Sequence, residues 1–253
     1  MSEAVNMILA MLPLEQAFLV LLRIGTAFFL LPVLGSRSVP PTVRLVLALA
    51  LTYVVVPLSG AMEAGLGRSG YVAACGHEVI AGLVIGFLCR SLFWSIQIAG
   101  TMAAQSISLA QILGNQVEQP QAAIGQFLYF AALALAMALD FHVAVVKALV
   151  ESYDLIPIGT AIDPGIASRL IIETLGRLFD IALGLAGPFL VIAVLYNLCL
   201  GVVNKAMPQL MVAFIGAPAI SWLGLVLLLL SAPILLSVWA DHLMDFSLAS
   251  GLR

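Results

Sequence analysis

Asp140, His142 and Lys147 put a carboxylate, an imidazole and an ammonium close together in an otherwise apolar stretch. Groups of these types can hand on a proton. Glu151 and Asp154 follow directly, which favours a plainer reading, the polar end of a helix near a membrane surface. Arg23 and Arg90 each lie within apolar runs. An Arg held at mid-membrane costs on the order of 3 kcal/mol, so each is expected either at a buried polar interior or subunit contact, or snorkelling to the interface. Glu173 and Arg177 have the i,i+4 spacing and order that stabilise an exposed helix by a few tenths of a kcal/mol, so that stretch is expected to emerge into water. Cys75, Cys89 and Cys199 stand singly in apolar surroundings and read as small core residues, without metal or redox spacing.

None of these groups falls in a catalytic pattern. HExxH, CxxC, GxSxG and P-loop sequences do not occur. Tyr153-Asp154 matches half of an intramembrane aspartyl protease site, but the glycine-flanked partner Asp is missing and Asp154 reads as loop. The expectation is a protein that is not an enzyme and needs no cofactor or metal. The more telling polar pattern is structural. Gln97, Thr101, Gln105, Ser108 and Gln111 recur at steps of four, four, three and three, the helical period, along a stretch free of charge. A lipid-facing helix has no use for such a row. It must face water, a polar pore or another protein, as a water-facing wall or as a hydrogen-bonded helix seam. The loop Gly114, Asn115, Gln116, Val117, Glu118, Gln119, Pro120, Gln121 follows it, and apolar sequence resumes at Ile124.

The elements that carry these residues belong to a membrane protein. The 253 residues are 63% hydrophobic and 9% charged, whereas soluble domains are about 25% charged. Charge-free runs at 45–62, 91–117, 119–139, 181–204 and 206–240 are each close to or above the ~18–20 residues that cross a bilayer, and 16–32 adds another if Arg23 is accepted within it. Strand-like alternation is missing, which argues against a β-barrel. Met1-Ser2-Glu3 has no basic n-region and no small-residue cleavage site follows, so a cleaved signal peptide is not expected. The net charge of −3 gives no nucleic-acid signal. Arg37, Arg44 and Lys205 mark connections without orienting the chain.

Proline and glycine punctuation predicts six helical regions. They are 5–34, 42–57, 71–113, 124–150, 167–204 around Pro188, and 210–245, the last broken near Gly216-Ala217-Pro218 and again at Pro233. The third, about 60 Å long at ~1.5 Å per residue, is too long for one crossing. It is expected to bend, fold into a hairpin or leave the membrane. Residues 151–163 are expected as a loop. Breakers inside apolar spans survive only where freed backbone groups find protein or water, so the chain is expected to be packed in other protein. Gly82 and Gly86 form a small-xxx-small pair that lets helices approach closely.

Four stretches, in order, carry a family resemblance: Pro32-Val33-Leu34-Gly35-Ser36-Arg37-Ser38-Val39-Pro40 followed by Val43-Arg44-Leu45-Val46-Leu47-Ala48-Leu49-Ala50; Gly125-Gln126-Phe127-Leu128; Leu139-Asp140-Phe141-His142 leading to Ala148-Leu149-Val150-Glu151-Ser152-Tyr153; and Val203-Asn204-Lys205-Ala206-Met207-Pro208-Gln209-Leu210. Together the chain resembles the FliR/SctT family of type III export-gate proteins over nearly its whole length. Gly-Ser-Arg-Ser-Val-Pro is closer to its flagellar than to its injectisome branch.

The resemblance implies an all-α membrane fold of long, kinked helices and hairpins. Residues 1–165 would be a FliP-like part and 166–253 a FliQ-like hairpin, joined near 163–168. It implies assembly with FliP and FliQ into a helical, conical gate in the bacterial inner membrane, within the flagellar basal body and partly raised toward the periplasm. FlhB would wrap the cytoplasmic side, FlhA would lie below, and unfolded export substrates would pass through. It further implies that the loop near 106–123, centred on 114–121, plugs the channel. Many members carry an Asp-Pro type sequence here, where this chain has Glu118-Gln119-Pro120. The rival readings are an injectisome SctT-type subunit and a small secondary transporter using Arg23, Arg90 and Asp140. Transporters of that kind show internal repeats, and no convincing repeat is evident.

Overall fold

A computed structural model describes residues 14–35, 39–60, 67–109, 121–206 and 212–244. The described chain is helical: α1 Leu14–Leu30, α2 Pro41–Val55 with a 3-10 turn Val56–Leu58, α3 Arg68–Leu109, α4 Gln121–Ala138, α5 Phe141–Leu155, α6 Pro164–Ala206 and α7 Val212–Met244. Among the described residues, four helices are long and apolar enough to cross a membrane, five if the broken pair α4–α5 counts as one span. This is an all-α membrane protein.

Local chemistry sets most boundaries. α1 ends at Leu30 in a turn where Val33 takes a left-handed φ of 69° and Gly35 donates its N–H to the Leu31 carbonyl at 2.8 Å. A Cβ on Gly35 would collide with the carbonyls of Phe29 and Leu31, so this tight return needs glycine. Pro41 opens α2 and Pro164 opens α6, first-turn positions where the missing N–H costs nothing. Asp163 caps α6, its Oδ1 accepting from the N–H groups of Gly165 at 2.7 Å and Ile166 at 3.1 Å.

Cys89 is buried as expected, but Cys75 is half-buried and Cys199 exposed, so they are not all core residues. Three expectations about the helices also need correcting. The region 124–150 is not one helix: Asp140 adopts φ 58°, ψ 31° and divides α4 from α5. The left-handed conformation cannot continue a right-handed helix, and Asp is among the few residues that adopt it readily. The loop expected from residue 151 begins later, because α5 runs to Leu155 and holds Glu151, Ser152, Tyr153 and Asp154 in helix. Finally, α7 continues through both Pro218 and Pro233. A helical proline forfeits one backbone bond, whereas a full break inside an apolar span would orphan several. The 42 residues of α3 are likewise one helix, about 63 Å long at ~1.5 Å per residue.

The chain divides into two compact units. Among the described residues, the first combines those up to Ser91 with Asp140–Thr174, and the second combines Leu92–Leu139 with Leu175–Asp245. In the first, α1 packs along α2 and buries Leu19, Val20, Ile24, Ala27 and Phe28 on one helical face. Gln16 closes the end of α2, its amide nitrogen donating to Ser59 Oγ at 3.0 Å and the Gly60 carbonyl at 2.7 Å. α3 crosses α1 at Gly82 and Gly86. A Cβ on Gly82 would strike Thr26 Oγ1 and the Arg23 carbonyl, and one on Gly86 would sit 2.8 Å from the Ala27 carbonyl.

In the second unit, α4 packs on α7. The buried Phe93 ring meets Trp239 edge-on at 5.2 Å and Tyr129 at 6.5 Å. The Trp239 indole donates to the Leu92 carbonyl at 2.9 Å. α3 and α4 touch at Gly100 and Gly125, where a Cβ on Gly100 would lie 2.6 Å from the Gly125 Cα. Much of α7 stays uncovered, with Leu229 76% and Leu230 68% exposed, a surface suited to lipid or other protein rather than water.

Candidate functional site

Among the described residues, two polar arrangements bear on function. The first lies in the first unit around Arg23, which α1 aims inward between two apolar neighbours, Val20 and Ile24. Arg23 and Glu78 are both fully buried. The guanidinium grips the carboxylate as a fork, Nε to Oε2 at 2.6 Å and Nη2 to Oε1 at 3.0 Å. Its other N–H groups reach α5 and the turn after it: Nη1 donates to Ser152 Oγ at 3.1 Å, and Nη2 also donates to the Ile156 carbonyl at 3.1 Å. The Tyr153 ring lies against the guanidinium, 3.9 Å from ring centre to its carbon, a cation–π contact.

The far side of Glu78 holds Gly159. Oε1 accepts the Gly159 N–H at 2.8 Å, and the neighbouring His77 Nδ1 lies 3.0 Å from the Gly159 carbonyl. A carbonyl can only accept, so Nδ1 carries the proton. Two adjacent side chains of α3 therefore hold both backbone groups of one residue, itself at φ +78°. The cluster sets one basic against one acidic side chain and joins α1, α3 and the segment 152–159. Chemically it is spent: its charges answer each other, and the geometry suits holding rather than reaction.

Arg90 sits elsewhere. It is half-buried, with Nη1 donating to the Leu30 carbonyl at 3.0 Å, a cation at the C-terminal end of α1. Asp140 and His142 are 79% and 57% exposed and 4.0 Å apart, and Lys147 is exposed too, the arrangement of a wet helix end. Glu173 and Arg177 are both exposed, and the ion pairs found among the described residues do not include them.

The second arrangement is the polar face of α3, in the second unit. Ala99, Gly100, Ala103 and Ala104 are buried, while Gln97 is half-buried and Thr101 and Gln105 are exposed. The Thr101 hydroxyl donates to its own helix, at the Ile98 carbonyl 2.8 Å away. Ser108 lies within α3, but its side chain is outside the described residues, as are Gln111 and the stretch Gly114, Asn115, Gln116, Val117, Glu118, Gln119 and Pro120. Gln121 is the first residue of α4, its side chain likewise outside the description. A groove of about 540 Å³ in the same unit, lined by Phe127, Leu225, Leu228, Leu229, Ala232, Pro233 and Leu236, is apolar and offers packing rather than chemistry.

Glu78 was missed in the sequence reading, and with it Ser152 and His77. The signal was present: a lone acid in an apolar helix and a lone Arg in another have strong reason to meet.

Residues 14–246 match the family model described as bacterial export proteins, family 1. The chain belongs to this family. Among curated relatives, the flagellar biosynthetic protein FliR of Caulobacter vibrioides is 32% identical over 232 residues, covering 89% of this chain and 92% of the relative. The FliR proteins of Aquifex aeolicus and Escherichia coli are 28% and 25% identical, over 88% and 91% of this chain and 88% of each relative. As a bacterial export protein of family 1, the chain sets two polar arrangements in an apolar body: one is bonded within itself, the other is turned outward.

Proposed function

We propose that this chain is a structural and gating subunit of the flagellar type III protein export gate. The family match across residues 14–246 carries the reading. In it, residues 1–165 form a FliP-like part and 166–253 a FliQ-like hairpin. The chain assembles with FliP and FliQ in the bacterial inner membrane, part of it raised to the periplasmic side, with FlhB and FlhA as further neighbours. The α3 face of Gln97, Thr101 and Gln105, continued by Ser108 and Gln111, is a wall of the channel. The uncovered side chain of Gln105 supports this, since an amide is suited to water or to a passing polypeptide and not to lipid.

The loop 114–121 then plugs the pore. Its amides can be wetted or bonded to one another, and its single charge, Glu118, leaves few ion pairs to break when a substrate chain passes. The role is passive, with energy supplied by other components. Deletion of 114–121 in the assembled complex is the test. The expected outcome is intact assembly with ion conductance raised at least about tenfold; an assembled deletion complex with unchanged conductance refutes the plug.

A further inference from the structure

We propose that Arg23 and Glu78 form a co-insertion lock, by which α1 and α3 enter the apolar phase as a mutually dependent pair and are fixed there only when residues 152–159 close over them. The lock rests on this chain's own residues and stands apart from the export reading.

Neither charge can be answered on its own helix. Glu15, the other charge of α1, is exposed in the first turn. On α3, Arg68 and Arg90 lie ten residues before and twelve after Glu78, about 15 and 18 Å along the axis. Each helix alone would therefore hold an unpaired ion against apolar side chains or lipid, which is strongly disfavoured. Paired as a fork at zero exposure, they carry none.

Pairing leaves polar groups open. Two further donors of Arg23 and a second acceptor site on Glu78 are met by Ser152, Ile156 and Gly159. These residues follow α3 in the chain by more than a full helix. The lock thus has two stages: α1 and α3 pair first, and the segment 152–159 then completes the bonding. Gly82 and Gly86 permit the first stage, because any larger residue at Gly82 would push against the backbone of Arg23 itself.

The test uses the full chain in its own host membranes, reading the fraction that resists both alkaline extraction and added protease. Arg23→Gln leaves a buried anion unpaired and Glu78→Gln a buried cation. Each is expected to lower the resistant fraction at least about tenfold. The double variant, Arg23→Gln with Glu78→Gln, leaves neither ion and is expected within about threefold of the native chain. Ser152→Ala opens only the second stage and is expected to keep extraction resistance while losing protease resistance about threefold. A double variant no better than the worse single overturns the lock, as does a single variant equal to the native chain. A Ser152→Ala chain as protease-resistant as the native one overturns the closing stage.

Discussion

The cluster around Arg23 and the α3 face around Thr101 both set polar groups in an apolar chain, an ion pair in one and neutral hydroxyls and amides in the other, and the two are treated in opposite ways. At Arg23 the charged groups are buried and bonded to one another across three segments. At Thr101 and Gln105 they are exposed, and the hydroxyl is bonded only to its own helix. A polar group in an apolar medium must find a partner. The first set finds it inside the chain and so contributes to holding the first unit. The second set is exposed among the described residues, which makes it the better candidate for function.

The comparison breaks most sharply at Gly82. Gly82→Val places new carbon atoms against Thr26 Oγ1 and the Arg23 carbonyl, and backbone there cannot swing aside. α1 must then retreat from α3, drawing the guanidinium away from Glu78. Losing a buried pair while its members stay buried costs about 3–5 kcal/mol. The expected result is loss of folded chain, measured as the fraction that remains monodisperse on heating in detergent. A Gly82→Val chain within about 1 kcal/mol of native stability would show that α1 and α3 are less tightly bound through this cluster than its bonding implies.

A smaller effect tests packing in the second unit, where Gly100 and Gly125 meet but are not equivalent. A Cβ on Gly100 would sit 2.6 Å from the Gly125 Cα, whereas one on Gly125 finds its nearest atoms at 3.6 Å, ordinary contact. Gly100→Ala is therefore expected to destabilise by about 1–3 kcal/mol through overpacking. Gly125→Ala is expected to be neutral or to stabilise by up to about 1 kcal/mol, since Ala is the better helix former. Paired thermal melts decide it: equal effects would remove the asymmetry.

Much of this was legible in the sequence because a membrane chain declares itself by what it lacks. Charge-free runs marked the spans, and Pro40-Pro41 and Pro164 marked connections, although Pro41 and Pro164 prove to be the first residues of α2 and α6. The small pair Gly82 and Gly86 pointed to a close helix approach. The breaks were less legible. Asp140 looked like one polar residue in a continuing helix, and only its left-handed backbone reveals the division. Pro218 and Pro233 looked like breaks, yet local propensity yielded to the cost of orphaned backbone groups in an apolar helix. The Arg23 cluster was half-legible: the unusual Arg stood out, but its partners come from segments 55 and 129 residues away. No local period carries such a pairing.

The smallest expected effect on stability is also the one that separates the two arrangements by function. Gln105 is exposed on α3, so Gln105→Leu is expected to disturb the packing of the described residues little. Its melting behaviour is expected within about 0.5 kcal/mol of native. If the face serves a wet channel, an apolar side chain there dries the wall and favours sticking of the passing polypeptide, and export should fall several-fold at unchanged protein level. If the face is instead a seam against a partner subunit, Gln105→Leu should weaken co-purification of that partner. A cysteine at the same position should then stay protected from a water-soluble thiol reagent during active export. The wall reading requires that cysteine to react and the complex to remain whole. Stability alone cannot distinguish a wall from a seam, because an exposed Gln105 adds little to folding in either reading.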